Sequence, residues 1–169
     1  VADGARVVTV NELPSLTQAG TYVVVGSGKT ATDAIVWLLQ HDVDPDRVVW
    51  VRPRDPWMLN RAVVQPDPAV IMTMVADTME AAARATSLDD MFFRMEDAGV
   101  MLRIDPDVTP TMARAPTLGE WELDLLRTVE RVIRLGHVRH ATRAEIGLDH
   151  GVLPLEHDAY VIHCAASGL

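Results

Sequence analysis

Gly26-Ser27-Gly28-Lys29-Thr30-Ala31 has the form G-x-G-x-x-[G/A], in which each small residue has its own task. The first glycine permits a tight turn and the second lets the backbone approach a pyrophosphate. The small residue at the end lets a helix pack close to a strand. A helix starting here aims its N–H groups and the positive end of its dipole at the phosphates. Lys29, the only lysine among 15 basic residues, stands inside this turn. A cation in the first turn of a helix is disfavoured by about 0.3–1 kcal/mol unless an anion is near, and a phosphate would be one. NAD sites place an Asp or Glu about twenty residues past the glycines to accept the ribose hydroxyls. Here the chain has Arg52-Pro53-Arg54. Arginine binds phosphate in a bidentate manner, so NADP(H) is expected over NAD(H). Two blander readings stand beside these: glycines that serve only a strand-to-helix turn, and surface arginines that pair with Asp55.

The elements that must position these residues are legible around them. Tyr22-Val23-Val24-Val25 is a β-branched run suited to a strand buried on both faces. From Thr30 the spacing of Ala31, Ala34, Ile35, Leu38 and Leu39 predicts a helix, with Asp33 in its first turn. His41 to Asp46 ends it, and Arg47-Val48-Val49-Trp50-Val51 reads as a second strand. Strand, glycine turn, helix and strand make a parallel βαβ unit. A Walker-type phosphate loop ending at Gly28-Lys29-Thr30 would need glycine at position 23, where Val23 lies inside the strand. A methyltransferase would show an acid at the end of the second strand, where the arginines stand.

Further along, helices are expected over Pro66–Thr86 and Leu88–Ala98, with Ile71, Met72, Val75, Thr78, Met79 and Ala82 on one stripe of the first. Val100–Ile104 suits a short strand, Pro106–Pro116 a loop and Leu118–Val129 a helix. Val132–Leu135, Arg139–Ile146 and Val152–Leu155 read as a β-meander, followed by the apolar run Ala159–Ala165. The expected class is α/β: a Rossmann-like parallel sheet with flanking helices and a C-terminal antiparallel β-meander. Residues 1–169 are read as one domain containing a helical insertion over 56–117.

Composition narrows the partners. The 169 residues carry 15 basic and 24 acidic side chains, a net charge of −9. Such a chain is poorly suited to nucleic acid, where a basic face must neutralise phosphates, or to polybasic attachment at a membrane. Its apolar runs are too short to span a bilayer and its start lacks signal-peptide architecture, so a cytoplasmic protein is expected. Cys164 is the only cysteine, which excludes an internal disulfide and a thiolate metal cage; it suits a small core residue. His137 and His140 fall on opposite faces of a predicted strand, and no pair of the six histidines has ligand spacing, so no metal is expected. The stripe Met72, Met79, Met91 and Met95 suits either core or an adaptable contact surface.

Tyr22 to Arg61, with Val25-Gly26-Ser27-Gly28-Lys29-Thr30-Ala31-Thr32-Asp33 and Trp50-Val51-Arg52-Pro53-Arg54-Asp55-Pro56-Trp57, resembles the NAD(P)-binding domain of two-dinucleotide-domain flavoproteins. Within these, flavin-containing monooxygenase-like FAD/NAD(P)-dependent oxidoreductases are the nearest in kind. The closing His163-Cys164-Ala165-Ala166-Ser167-Gly168-Leu169 is similar to the segment where such chains return to their FAD domain. The resemblance implies Gly26, Ser27, Gly28, Lys29 and Thr30 near the pyrophosphate and Arg52 or Arg54 near the 2′-phosphate of NADP. It also implies an FAD held by a companion domain. The other glycines form no second G-x-G-x-x-G, so the chain is expected to be an excised domain that binds but does not catalyse alone. The alternatives are a stand-alone dinucleotide sensor and a scaffold with a vestigial turn.

Overall fold

The computed structural model describes residues 2–16 and 19–165; Ala166 to Leu169 of the closing segment lie outside them. The chain divides into two compact units, Val1–Arg54 with Leu125–Leu169, and Asp55–Asp124.

In the first unit, strands β1 (Ala2–Asp3), β2 (Val7–Thr9) and β3 (Tyr22–Val25) precede helix α1 (Lys29–Gln40) and strand β4 (Val48–Val51). In the second unit, β5 (Pro56–Asn60) leads to α2 (Pro68–Arg84), α3 (Leu88–Asp97), β6 (Met101–Arg103) and β7 (Met112–Leu118). Helix α4 (Glu120–Arg127) returns the chain to the first unit. There β8 (Val132–Ile133), β9 (Val138–Thr142), β10 (Glu145–Leu148), β11 (Gly151–Pro154) and β12 (Tyr160–His163) follow.

The first unit is built on a five-stranded, all-parallel sheet of order β2-β12-β3-β4-β8. Every residue of β3 and β4 is buried, as the unbroken β-branched runs require of a strand covered on both faces. Alternation along the strands assigns the cover. Val23, Val25, Val49, Val51 and Val161 form one core with Ala141, Ile146 and Leu148, so β9–β11 cover that face. Val24, Trp50 and Ile162, none of them exposed, point to the other. Helix α1 packs against β3 with Ala31, Ala34, Ile35 and Leu38 buried. The α/β class, the parallel sheet and the antiparallel meander are as expected.

Three details of the tail differ. Val132-Ile133 is no part of the meander but the parallel edge strand beside β4. The stretch Arg139–Ile146 is a hairpin rather than one strand, because Thr142 Oγ1 accepts from the N–H groups of Ala144 and Glu145 (both 3.2 Å) and turns the chain. β12 does not extend the meander either; it enters the parallel sheet between β2 and β3.

The second unit carries a mixed three-stranded sheet, β6-β5-β7, with β5 antiparallel to β6 and parallel to β7. Its helices are therefore accompanied by β5 and β7, strands over stretches where the sequence predicts none. Trp57 is buried between Phe92, stacked at 5.5 Å, and Phe93, edge-on at 5.6 Å. Ala81, Met95 and Val100 form the adjoining core. The expected methionine stripe splits: Met95 is buried and Met91 packs beside it, whereas Met72 and Met79 of α2 are each 66% exposed. Ile71 and Val75 share that outward face of α2.

Candidate functional site

The parallel register brings the ends of the strands level: Val25 pairs with Val51 and with His163, and Val51 with Ile133. One carboxyl edge therefore holds Gly26, Arg52, Arg134 and Cys164 side by side. From β3 the chain winds through α1 to β4, while β12 lies on the other flank of β3. The turn at Gly26–Gly28 thus stands where the strand order reverses, the place where open α/β sheets bind ligands.

Gly26 and Gly28 are glycines for different reasons. Gly26 has φ +136°, and a Cβ on it would lie 2.9 Å from the carbonyl oxygen of Cys164. Its N–H donates to the Val51 carbonyl (3.0 Å) and its carbonyl accepts from Trp50 Nε1 (2.7 Å). Both bonds fasten the turn to β4. Gly28, with φ −90° and ψ −176°, is the N-cap of α1 and supplies no side-chain cap. A Cβ there would meet nothing within 4 Å. Of the first-turn N–H groups of α1, which a helix leaves without an i−4 partner, that of Ala31 donates to the Gly28 carbonyl (3.0 Å). Ser27 is buried, Thr30 is exposed, and the buried Ala31 allows the close helix packing expected of it. A pyrophosphate fits this cradle: bare backbone, a helix N-terminus and room that a side chain would fill.

Lys29 is placed differently from the expectation. Its ammonium pairs with Asp33 one turn along α1. The anion that offsets a cation in the first turn is supplied by the chain itself, so the position of Lys29 does not by itself call for a phosphate. Asp33 also sets a negative charge close to the cradle. Asp33→Asn is expected to release Lys29 and tighten NADP⁺ binding by about threefold, the worth of one exposed charge near a helix end. Calorimetric titration of the variant checks this; weaker binding would mean that the pair holds Lys29 in its working position.

The two arginines also part company. Arg52 is buried, 1% exposed, with its guanidinium carbon 4.5 Å from the Trp50 ring centre, so it stacks inward on the sheet. Arg54 is exposed. Trp50 thus holds both the glycine turn and Arg52, a role that its position two residues before Arg52 on one strand face could have signalled. Arg61, the next arginine along the chain, belongs to the second unit. There it pairs with the buried Glu122 (2.8 Å).

Burial pushes the Cys164 thiol up to about 11, so it stays protonated at neutral pH and behaves as the core residue expected. Among the described residues no group of three or more His, Cys, Asp or Glu is placed to hold a metal ion, and no helix is long and apolar enough to cross a membrane.

The chain is similar to uncharacterized proteins of Mycobacterium tuberculosis and Mycobacterium bovis, each 44% identical over 171 residues and aligned with 99% of this chain. It spans about a third (32%) of the length of these curated relatives. No family model and no solved structure matches it.

Proposed function

We propose that this chain is an NADP(H)-binding domain of a flavin-dependent oxidoreductase. The observation that carries this is Gly28: an uncapped helix start facing open space, at the point where a parallel sheet reverses its strand order. Gly26, Ser27, Gly28 and Thr30 hold the pyrophosphate through backbone and helix dipole, and Lys29 adds charge when it leaves Asp33. Arg54, the exposed arginine past β4, binds the 2′-phosphate, while Arg52 braces the strand end against Trp50. The bound nicotinamide supplies hydride, which a flavin on a companion domain accepts.

No second glycine fingerprint exists in the chain, so FAD has no comparable seat on it. The threefold greater length of the relatives supports a companion domain in proteins of this kind. The uncovered face of Ile71, Met72, Val75 and Met79 is the type of surface such a domain would cover.

Titration calorimetry tests the assignment. NADP⁺ is expected to bind about tenfold more tightly than NAD⁺, the worth of one charge-assisted contact to phosphate, and Arg54→Ala is expected to bring the two level. Absence of binding by either nucleotide at millimolar concentration would sink it.

A further inference from the structure

We propose that a cavity at the C-terminal end of α1 binds a free α-amino acid with a compact apolar side chain. It lies at the opposite end of α1 from Gly28, about 18 Å along the helix, and none of its residues belongs to the glycine turn. Its volume is about 130 Å³, close to the roughly 150 Å³ that holds a benzene molecule. Leu13 and Leu16, ahead of β3, and Trp37 and Leu38 of α1 make its apolar walls. A branched aliphatic or single-ring side chain matches that space.

Tyr22, His41, Asp42 and Arg47 line the same cavity and fall into two pairs. Tyr22 and Arg47 are donors. Tyr22 is 5% exposed, and its Oη accepts from the Ala19 N–H at 3.1 Å. That bond uses a lone pair and leaves the hydroxyl hydrogen to donate; it meets no acceptor among the described residues. Arg47 Nε donates to the Gly20 carbonyl at 3.0 Å, and its two Nη groups have no partner among the described residues. Both donors are thereby pinned to the dipeptide Ala19-Gly20, and a carboxylate can accept from each.

The acceptors come from the end of α1. His41 stacks on Trp37 with ring centres 3.9 Å apart, and its Nδ1–H donates to the Trp37 carbonyl at 2.7 Å. A carbonyl only accepts, so in the neutral ring Nε2 is the acceptor. Asp42, at φ +60°, holds the left-handed position that ends the helix, with the Val43 N–H on the Leu38 carbonyl at 3.2 Å. Its exposed carboxylate forms no hydrogen bond or ion pair among the described residues. The C-terminus of α1 adds the negative end of the helix dipole, and the whole suits an ammonium. Donors alone would select a plain carboxylate, and acceptors alone an amine. Together, over an apolar cavity, they select a molecule with a carboxylate, an ammonium and a small apolar body. Such a molecule is neutral overall, so the chain's net charge of −9 does not oppose its approach.

The experiment is calorimetric titration of the full chain with three probes that share one apolar body: L-leucine, isocaproate, which lacks the ammonium, and isopentylamine, which lacks the carboxylate. Leucine is expected to bind about tenfold more tightly than either, the worth of one charge-assisted contact. Arg47→Gln is expected to weaken leucine and isocaproate about tenfold and to change isopentylamine by less than about twofold. Asp42→Asn keeps a residue suited to the left-handed position. It is expected to weaken leucine and isopentylamine about tenfold and to leave isocaproate within about twofold. Thermal unfolding shows whether each variant is folded, and Asp42→Asn, at an exposed position, decides if Arg47→Gln is not. Either analogue binding as tightly as leucine overturns the amino-acid reading. Leucine binding that no folded variant changes puts the ligand elsewhere and overturns it too, as does no binding of leucine at about 10 mM.

Discussion

Gly26→Ala is expected to destabilise the first unit by about 3 kcal/mol, combining a left-handed backbone forced on an L-residue with a steric overlap. For a chain of this size that lowers the melting temperature by about 10 °C. The φ of +136° is one that side-chain-bearing residues rarely adopt, and the added Cβ would stand 2.9 Å from a backbone oxygen rather than from a flexible side chain. Relaxation is blocked on every side. The Gly26 N–H is tied to Val51 and its carbonyl to Trp50, and the Cys164 N–H donates to Val25 at 2.9 Å. Circular dichroism melts of parent and variant give the answer. A change under about 2 °C, well within what a few tenths of a kcal/mol produce, would show that β12 does not approach the turn so closely.

Gly28→Val should behave in the opposite way. Its backbone, φ −90° and ψ −176°, is open to any residue, and a Cβ meets nothing within 4 Å. The melting temperature should hold within about 2 °C. Nucleotide binding should not hold, because the branched side chain fills the space through which a pyrophosphate reaches the helix N-terminus. Loss of one charged hydrogen bond or more predicts NADP⁺ binding weakened about ten- to a hundredfold. A folded Gly28→Val that binds as well as the parent would remove the start of α1 from the site. The contrast between two glycines two residues apart separates architecture from binding within one motif.

What was legible in the sequence follows from where the physics is local. Tyr22–Val25, the glycine turn, the helix stripe and Arg47–Val51 each carry their signal within a few residues, and the structure forms all four, with Arg47 in a 3-10 turn ahead of β4 rather than in the strand. Partner choice is not local. Val132-Ile133 is apolar whether it joins a meander or a parallel edge, and only the ladder to β4 decides. β5 and β7 were hidden because Pro56 opens the first and Pro116 interrupts the second, a residue that cannot donate to a ladder and usually argues against a strand. The hairpin at Thr142–Glu145 turns on a threonine hydroxyl and has no glycine or asparagine to announce it. In the candidate site, residue types were readable and directions were not. Arg52 and Arg54 are equivalent in sequence, yet stacking on Trp50 turns one inward. Asp33, expected in the first turn, lies beyond it because α1 begins at Lys29, and its claim on Lys29 follows from the four-residue spacing, one helical turn.

The place of β12 has a consequence for how the molecule is made. β12, the last of the described strands, is not an edge but the second of five, holding β2 on one side and β3 on the other. During synthesis the segment 55–124 is contiguous, and its compact unit is complete long before residue 160 is joined. The parallel sheet has no such head start. Until Tyr160–His163 emerge, β2 has no partner in its sheet and β3 presents an unpaired edge of four buried-type residues. Pairings this distant in the chain carry a large loop-closure entropy and form late. The nascent protein must therefore keep this strand edge open until residues 160–163 are made, an interval in which chaperone contact or mispairing between chains has its opportunity.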